Sequence, residues 1–170
     1  MSAAIKSPRR GPDSPITVSR ATGTVRVSAG RILQAARQAL GDRHVTALSI
    51  AIVDDAIMAG LHERFMGDAR ATDVLTFDLR DDPRSNEIEG EIVVSAETAR
   101  REAVRRRLEP DAELLRYVIH GVLHLLAMDD RTAAGRRRMR RAETRTLNGL
   151  PKRALRATRP RARVSARKHR

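Results

Sequence analysis

The sequence predicts an α+β domain in which a small mixed four-stranded sheet is covered by about five helices. Segments of strand and helix character alternate along the chain in the order strand, helix, strand, helix, strand, strand, helix, helix, helix. One helical segment, which begins near Pro110, is apolar around much of its circumference, as expected of a central buried helix. The length of 170 residues is enough for one domain with its own hydrophobic core.

The first half of the chain contains three predicted strands and two predicted helices. The strands are residues 22–27, 48–53 and 73–77. Ser28 is a suitable N-cap for the first helix, whose C-terminal stop is Gly41. Asp54 or Asp55 begins the second helix, which ends at Gly67. We expect its inner face to carry the apolar residues Ile57, Met58, Leu61 and Phe65.

The second half contains one predicted strand and three predicted helices. Residues 78–90 are expected to form an exposed loop, and 91–94 form the fourth strand. Ser95 caps a highly charged helix through Leu108, and the central helix follows with Pro110 in its first turn. Thr132 opens the last helix, which has Met139, Ala142 and Leu147 as apolar positions.

Basic residues are concentrated at the C-terminal end of the chain. The net charge is +13, yet residues 131–170 hold 16 Lys and Arg against one acid, whereas residues 1–130 are close to neutral. A general preference for Arg over Lys does not explain this concentration. We expect a disordered leader at 1–15, a folded domain at 16–149 and a disordered polybasic tail at 150–170. Such a tail binds phosphate backbones without sequence specificity.

Composition excludes several classes of protein. The absence of cysteine rules out disulfide partners and thiolate metal sites, and no apolar run is long enough to span a membrane. Only two Phe, one Tyr and no Trp are present, which argues against a base-stacking platform for nucleic acid. Affinity for nucleic acid therefore has to come from phosphate contacts.

A histidine pair in the central helix predicts a metal site. His120 and His124 are four residues apart and so lie on one helical face, and Asp130 follows with a third ligand. Three protein ligands leave a coordination position open, which is typical of catalytic metal sites. The alternative is a pair of hydrogen-bonded core histidines. A metallopeptidase would need Glu directly after the first His, where this chain has Gly121.

Three blocks in order resemble the YbeY family of metal-dependent endoribonucleases, which are rRNA maturation factors. The first runs from Leu61–Phe65 into 72–77, with sequence TDVLTF; the second is 90–95, with sequence GEIVVS; the third is 120–130. The third block is similar to the family signature His-Gly-x-Leu-His-Leu-x-Gly-x-Asp-His. The similarity extends from about residue 48 to residue 147, where Met139 and Glu143 fit the helix that follows the signature.

The chain departs from the family pattern at four positions. The resemblance implies one bound Zn²⁺. Asp130 replaces the third histidine of the signature, and because iron and manganese also suit a carboxylate ligand, they are alternatives to zinc. Ala127 replaces a glycine, so the turn that delivers Asp130 is expected to differ in detail. Met66 replaces an arginine, and Glu91 stands where aspartate is common.

The resemblance also implies roles for residues around the metal. Asp129 matches the aspartate of the signature and is expected to handle protons in catalysis. Arg64 or Arg70 is expected to supply the phosphate-binding cation that is missing at Met66, and Asp73 is a further substrate-binding candidate. A purely structural role of Asp73 in a turn before its strand is the alternative.

The function implied by the resemblance is single-strand-directed cleavage of RNA in rRNA processing and ribosome maturation. Its expected partners are the rRNA precursor and the small ribosomal subunit, with a monomeric protein in the cytoplasm. Two other functions remain open: a non-catalytic ribosome assembly factor with a structural metal, and a zinc peptidase.

Overall fold

A computed structural model describes residues 15–22, 27–82 and 84–151. Within these residues, the strands are β1 (Ile16–Arg20), β2 (Val45–Val53), β3 (Val74–Asp78) and β4 (Ile88–Ser95). The helices are α1 (Ala29–Leu40), α2 (Asp55–Met66), α3 (Ala96–Arg106), α4 (Pro110–Leu125) and α5 (Ala133–Gly149). The predicted α+β fold, with a mixed sheet of four strands and five helices, is confirmed. The predicted leader at 1–15 and most of the predicted tail at 150–170 lie outside the described residues.

The sheet has the strand order β1-β2-β4-β3. β2 pairs in parallel with both β1 and β4, and β3 runs antiparallel to β4 along the opposite edge. Parallel neighbours require crossover connections, which α1 and the α2–β3 segment provide. β4 is therefore a central strand, and six of its eight residues are buried, including all four from Ile92 to Ser95.

Helix α4 lies at the centre of the domain, as predicted. Ten of its sixteen residues are buried. It packs against the other helices α1, α3 and α5 and against strands β3 and β4. Burying each large apolar side chain stabilises the fold by roughly 1.5–3 kcal/mol, so this one helix supplies a large share of the core.

The first strand was wrongly placed by the sequence pattern. The structure has it at Ile16–Arg20, where Ile16 pairs with Leu48 of β2. Thr22 and Val27 are not in a strand, and residues 23–26 lie outside the described part of the chain. Both segments alternate, and only the pairing with β2 decides between them, because strand pairing is a tertiary contact.

Other sequence expectations also differ from the structure. β2 begins at Val45, three residues earlier than predicted. β4 begins at Ile88, three residues earlier than predicted, because residues 88–90 already pair with β2. Phe65 is 53% exposed rather than on an inner face, and its ring contacts Phe77 at a centroid distance of 4.9 Å. Of the residues in α2, only Met58 is fully buried.

The predicted helix caps are confirmed at four N-termini. The side chains of the capping residues accept a hydrogen bond from a backbone N–H three residues ahead, and these residues are Ser28, Asp54, Ser95 and Thr132.

No helix among the described residues is long and apolar enough to cross a bilayer.

Gly121 allows α4 to approach the sheet closely. A Cβ atom at this position would lie 2.7 Å from Cγ2 of Ile92 and 3.0 Å from Oγ1 of Thr76. These two residues are cross-strand partners in β4 and β3. The glycine therefore sets the depth at which α4, and everything attached to it, sits on the sheet.

We expect Gly121→Ala to destabilise the protein by about 1–3 kcal/mol, because the added methyl group overpacks a buried contact. Gly60→Ala is the matched control: Gly60 is an exposed helical position where a Cβ atom meets nothing within 4 Å. That exchange should stabilise by about 0.4–1 kcal/mol. Urea denaturation measures both, and equal effects of the two exchanges would contradict the packing argument.

Candidate metal centre

The last two turns of α4 present two imidazoles to each other. His120 and His124 lie one turn apart, and their Nε2 atoms are 2.9 Å apart. The rings meet edge to face with centroids 4.5 Å apart. Both side chains are partly exposed, at 20% and 32%, although the helix around them is buried. The pair therefore faces outward from the end of the core helix.

A reversal of the chain after α4 brings Asp130 back to the histidines. Ala127 adopts a left-handed conformation with φ 60°. Its N–H donates to the carbonyl of His124, and the N–H of Met128 donates to the carbonyl of Leu123. This pair of hydrogen bonds is a Schellman motif, in which glycine is the usual left-handed residue. Ala127 thus adopts, at a steric cost, a backbone conformation that glycine adopts freely.

The start of α5 fixes the reversal from the other side. The backbone of Gly135 lies so close to Asp129 that a Cβ atom would be 2.3 Å from the Asp129 carbonyl oxygen. Nη1 of Arg136 donates to the carbonyls of Asp130 and Arg131, at 3.3 and 2.9 Å. The backbone that carries Asp130 is therefore held against a helix.

Three candidate ligands converge as a result. Oδ2 of Asp130 is 3.9 Å from Nε2 of His120, and Oδ1 is 3.9 Å from Nε2 of His124. One ligand atom from each of the three residues lies within 4.8 Å of the others. Two imidazole nitrogens and a carboxylate oxygen are a donor set that suits a divalent transition metal.

Glu143 of α5 fixes the orientation of His120. Its Oε1 lies 2.8 Å from Nδ1 of His120, and its Oε2 accepts a hydrogen bond from Nη1 of Arg116 at 3.4 Å. The carboxylate is buried, with 6% of the residue exposed. Because an ionised carboxylate only accepts, Nδ1 of His120 carries the proton, and in the neutral ring Nε2 presents its lone pair to the cluster. This is the arrangement that a metal ligand requires.

Sequence reasoning did not identify Glu143 as a site residue. A signal was present, since Glu143 is the only acid of α5 and stands on the same helical face as the buried Met139 and Leu147. A lone carboxylate on the buried side of a basic helix needs a partner.

The protonation of the two histidines differs. Burial lowers the pKa of His120, but the hydrogen bond and charge of Glu143 outweigh it and the pKa is raised. The pKa of His124 is lowered, first by burial and then by the positive charge of His120. The pKa of Glu143 is lowered because His120 and Arg116 together outweigh the opposing effect of burial. His124 is therefore the more readily available neutral ligand, and metal binding would release the proton of His120.

Two clefts open beside the cluster and share His120 and Asp73. The first, which we call the Tyr117 cleft, has a volume of about 180 Å³. Its lining residues are Asp73, Arg106, Arg116, Tyr117, His120, Asp130, Arg136, Met139, Arg140 and Glu143. The second, the Thr76 cleft, has a volume of about 370 Å³ and is lined by Met66, Asp73, Val74, Leu75, Thr76, Asp78, His120, His124 and Leu125.

The structure brings only some of the predicted site residues to these clefts. Asp73 lines both, and its Oδ1 also accepts hydrogen bonds from Oγ1 of Thr72 and from the N–H of Val74. Arg64 and Arg70 line neither. Arg70 is 87% exposed and paired with Asp68, and the guanidinium of Arg64 lies over the ring of Phe65.

Asp129 also lies apart from the cluster. Its carboxylate accepts hydrogen bonds from the backbone N–H and Nε of Arg131, and the side chain is 48% exposed. The backbone hydrogen bond to Arg131, followed by its side chain, lowers the pKa of this carboxyl. Asp129 is not among the residues that line the two clefts.

Comparisons with known proteins agree on one family. Residues 17–151 match the family model described as Endoribonuclease YbeY. A protein of that name from Anaeromyxobacter sp. (strain Fw109-5) is 42% identical over 111 residues, which cover 64% of this chain and 58% of that protein. Its namesake from Anaeromyxobacter dehalogenans (strain 2CP-C) is 36% identical over 154 residues, covering 89% and 77%. The match therefore covers less than two thirds of the length of the relative from strain Fw109-5.

A solved structure shows the same fold. The solution structure of TM1509 from Thermotoga maritima superposes with a TM-score of 0.53 at 25% sequence identity. The match covers 78% of this chain and 87% of that one.

The left-handed turn leads to a prediction on stability. Ala127→Gly should stabilise the protein by about 0.5–1 kcal/mol, because glycine adopts positive φ without steric cost. The same exchange at Ala134, an exposed position in α5, should destabilise by a similar amount. Thermal unfolding of both variants checks this, and a lower melting temperature for Ala127→Gly would contradict it.

The contact between Glu143 and His120 leads to a second prediction. Glu143→Gln should weaken binding of Zn²⁺, used as the probe ion, by about 10- to 100-fold, because the amide no longer fixes His120 as strongly as a carboxylate. Calorimetric titration measures the affinity. Glu102→Gln is the control, since the ion pairs of Glu102 among the described residues are with Arg105 and Arg106 of its own helix α3. Equal affinity of the Glu143 variant and the wild type would show that this contact does not support the site.

Proposed function

The chain belongs to the YbeY endoribonuclease family, and from this premise we propose that it is a metal-dependent endoribonuclease of rRNA processing. Its substrate would be single-stranded RNA in an rRNA precursor, and its product would serve the maturation of the small ribosomal subunit. The observation that carries the proposal is the convergence of His120, His124 and Asp130 beside a cleft lined by arginines. We further propose that the protein acts in the cytoplasm as a monomer.

His120, His124 and Asp130 would hold one divalent ion. Their donor atoms lie within 4.8 Å, and the hydrogen bond to Glu143 leaves Nε2 of His120 free to coordinate. Zn²⁺ is the ion that we propose, with iron or manganese as alternatives that the carboxylate ligand also suits. Such an ion would supply Lewis-acid chemistry at this place, by polarising a phosphoryl oxygen, by activating a water, or by both.

The reaction adds water across a phosphodiester bond: one P–O bond breaks and a bond from phosphorus to the water oxygen forms. Arg140 of the Tyr117 cleft can hold the negatively charged phosphate beside the cluster, since guanidinium groups bind phosphate strongly. Asp73 lines both clefts next to His120 and is placed to contact the substrate. The role of Asp129 in proton transfer stays a prediction, because its carboxylate is paired with Arg131 at the surface.

The other two functions are not favoured. A peptidase would need a glutamate at position 121, but Gly121 faces Ile92 and Thr76 with no room even for a methyl group. An assembly factor with a structural metal would need no cleft beside its metal ligands. The two clefts that share His120 instead give a substrate access to the cluster.

We predict that His124→Ala abolishes metal binding and RNA cleavage together, because two ligands hold a divalent ion poorly. Metal analysis of the purified variant and a cleavage assay on an rRNA precursor measure the two effects. His44→Ala is the matched control, since the side chain of His44 is 74% exposed and lies near Glu87, away from the cluster. It should retain both metal and activity.

Full cleavage by a metal-free His124 variant would contradict the mechanism. Association of the wild type with rRNA without cleavage, unchanged by a chelator that leaves the fold intact, would instead favour the assembly factor.

A further inference from the structure

The outward face of α5 carries a row of exposed arginines. The buried residues of this helix follow a spacing of four and are Gly135, Met139, Glu143 and Leu147. The exposed residues on another face line a groove of about 570 Å³, which we call the α5 groove. They are Arg137, Arg140, Arg141, Thr144, Arg145 and Asn148. These six residues lie between positions 137 and 148, so the groove extends for about 16 Å along the helix axis.

Arg140 joins the α5 groove to the Tyr117 cleft, because it lines both. The other arginines of that cleft are already engaged. Arg106 and Arg116 pair with the buried Glu113, and Arg136 donates to backbone carbonyls. Within the described chain, the guanidinium of Arg140 has no ion pair or hydrogen bond. It is therefore available to a ligand that reaches the candidate metal centre.

The α5 groove has a charge that nothing in the described structure neutralises. Arg137, Arg141 and Arg145 repeat at a spacing of four, which places like charges side by side and is unfavourable in the free protein. The only acid of α5, Glu143, is buried against His120. The C-terminal segment 152–170 contains no Asp or Glu, so its side chains carry no negative charge that could neutralise the arginines of the groove. The charge of the groove therefore fits an anionic partner from outside the chain.

We propose that the α5 groove binds the phosphates of single-stranded RNA on one side of the scissile bond, and that Arg140 guides the backbone from this groove into the Tyr117 cleft. The proposal rests on the proposed function and adds the path of the substrate to it. It also identifies where the phosphate-binding cations lie in a chain that has Met66 at the position of an expected arginine. They come from α5, not from Arg64 or Arg70. Phosphate contacts of this kind position the RNA and do not read its bases.

The test compares two triple variants of the full-length protein that lose the same charge. Arg137, Arg141 and Arg145 are replaced by Gln in the groove variant. Exposed arginines elsewhere, Arg43, Arg84 and Arg100, are replaced by Gln in the control. Binding of a fluorescent single-stranded fragment of an rRNA precursor is measured as a function of KCl concentration, together with steady-state cleavage.

We expect the groove variant to bind the RNA roughly tenfold more weakly. The slope of log binding constant against log KCl concentration should be smaller in magnitude by about 2, because three phosphate contacts are lost. KM should rise by a similar factor, while kcat at saturating RNA stays near the wild-type value. The control should keep the wild-type slope. The melting temperature of the groove variant should be no lower than that of the wild type, since like charges are removed.

Equal salt slopes for the two triple variants would overturn the proposal and leave the proposed function intact if the wild type cleaves RNA in a metal-dependent way. A wild type that does not cleave RNA would overturn both. A groove variant that keeps wild-type RNA binding but no longer binds phosphatidylserine vesicles would show that the face contacts a membrane, and the proposal would again be wrong.

Discussion

The close packing of α4 on the β3–β4 pair is the constraint on which the rest of the structure depends. Gly121 has no side chain at the point where the helix crosses Ile92 and Thr76, so the two layers come closer than any other residue permits. The same helix contacts α1, α3 and α5. Because protein interiors are densely packed, a shift of this helix would displace all of these elements together. His120 and His124 lie in the last two turns of this helix, so the same packing fixes their positions.

The chain reversal after α4 brings the three candidate ligands together. Helical spacing alone places His120 beside His124, but it cannot bring a residue six positions later back to them. The Schellman turn at Ala127 and the contact of Gly135 with the Asp129 carbonyl do so. A residue in a sterically costly conformation persists only where its surroundings determine it, and such residues concentrate at functional sites. The positive φ of Ala127 costs folding free energy, but it gives the turn the geometry that brings Asp130 to the histidines.

Charge is arranged in a chain that leads from α3 to the candidate ligands. Arg106 pairs with Glu113, Glu113 contacts Arg116, and Arg116 donates to Glu143, which binds His120. Glu113 is fully buried, and a buried carboxylate is stabilised only by close, well-oriented partners such as these cations. Arg106 and Arg116 are consequently both paired with carboxylates. The exposed face of α5, by contrast, carries arginines for which the described part of the chain supplies no acidic partner.

The sequence by itself predicted the class of fold, most helix boundaries and all three candidate ligands, although local spacing places only His120 and His124 side by side. These follow from local physics: caps such as Ser28 and Thr132, apolar periodicity in α4, and the fixed spacing of His120 and His124 on one helical turn. Only the tertiary structure decided which alternating segment became β1, because strand pairing is not encoded in a single segment. Only it showed that Glu143 orients His120, that Asp129 pairs with Arg131, and that α5 rather than Arg64 or Arg70 brings arginines to the cleft. Each of these depends on where two distant parts of the chain meet, and the packing of α4 fixes that meeting.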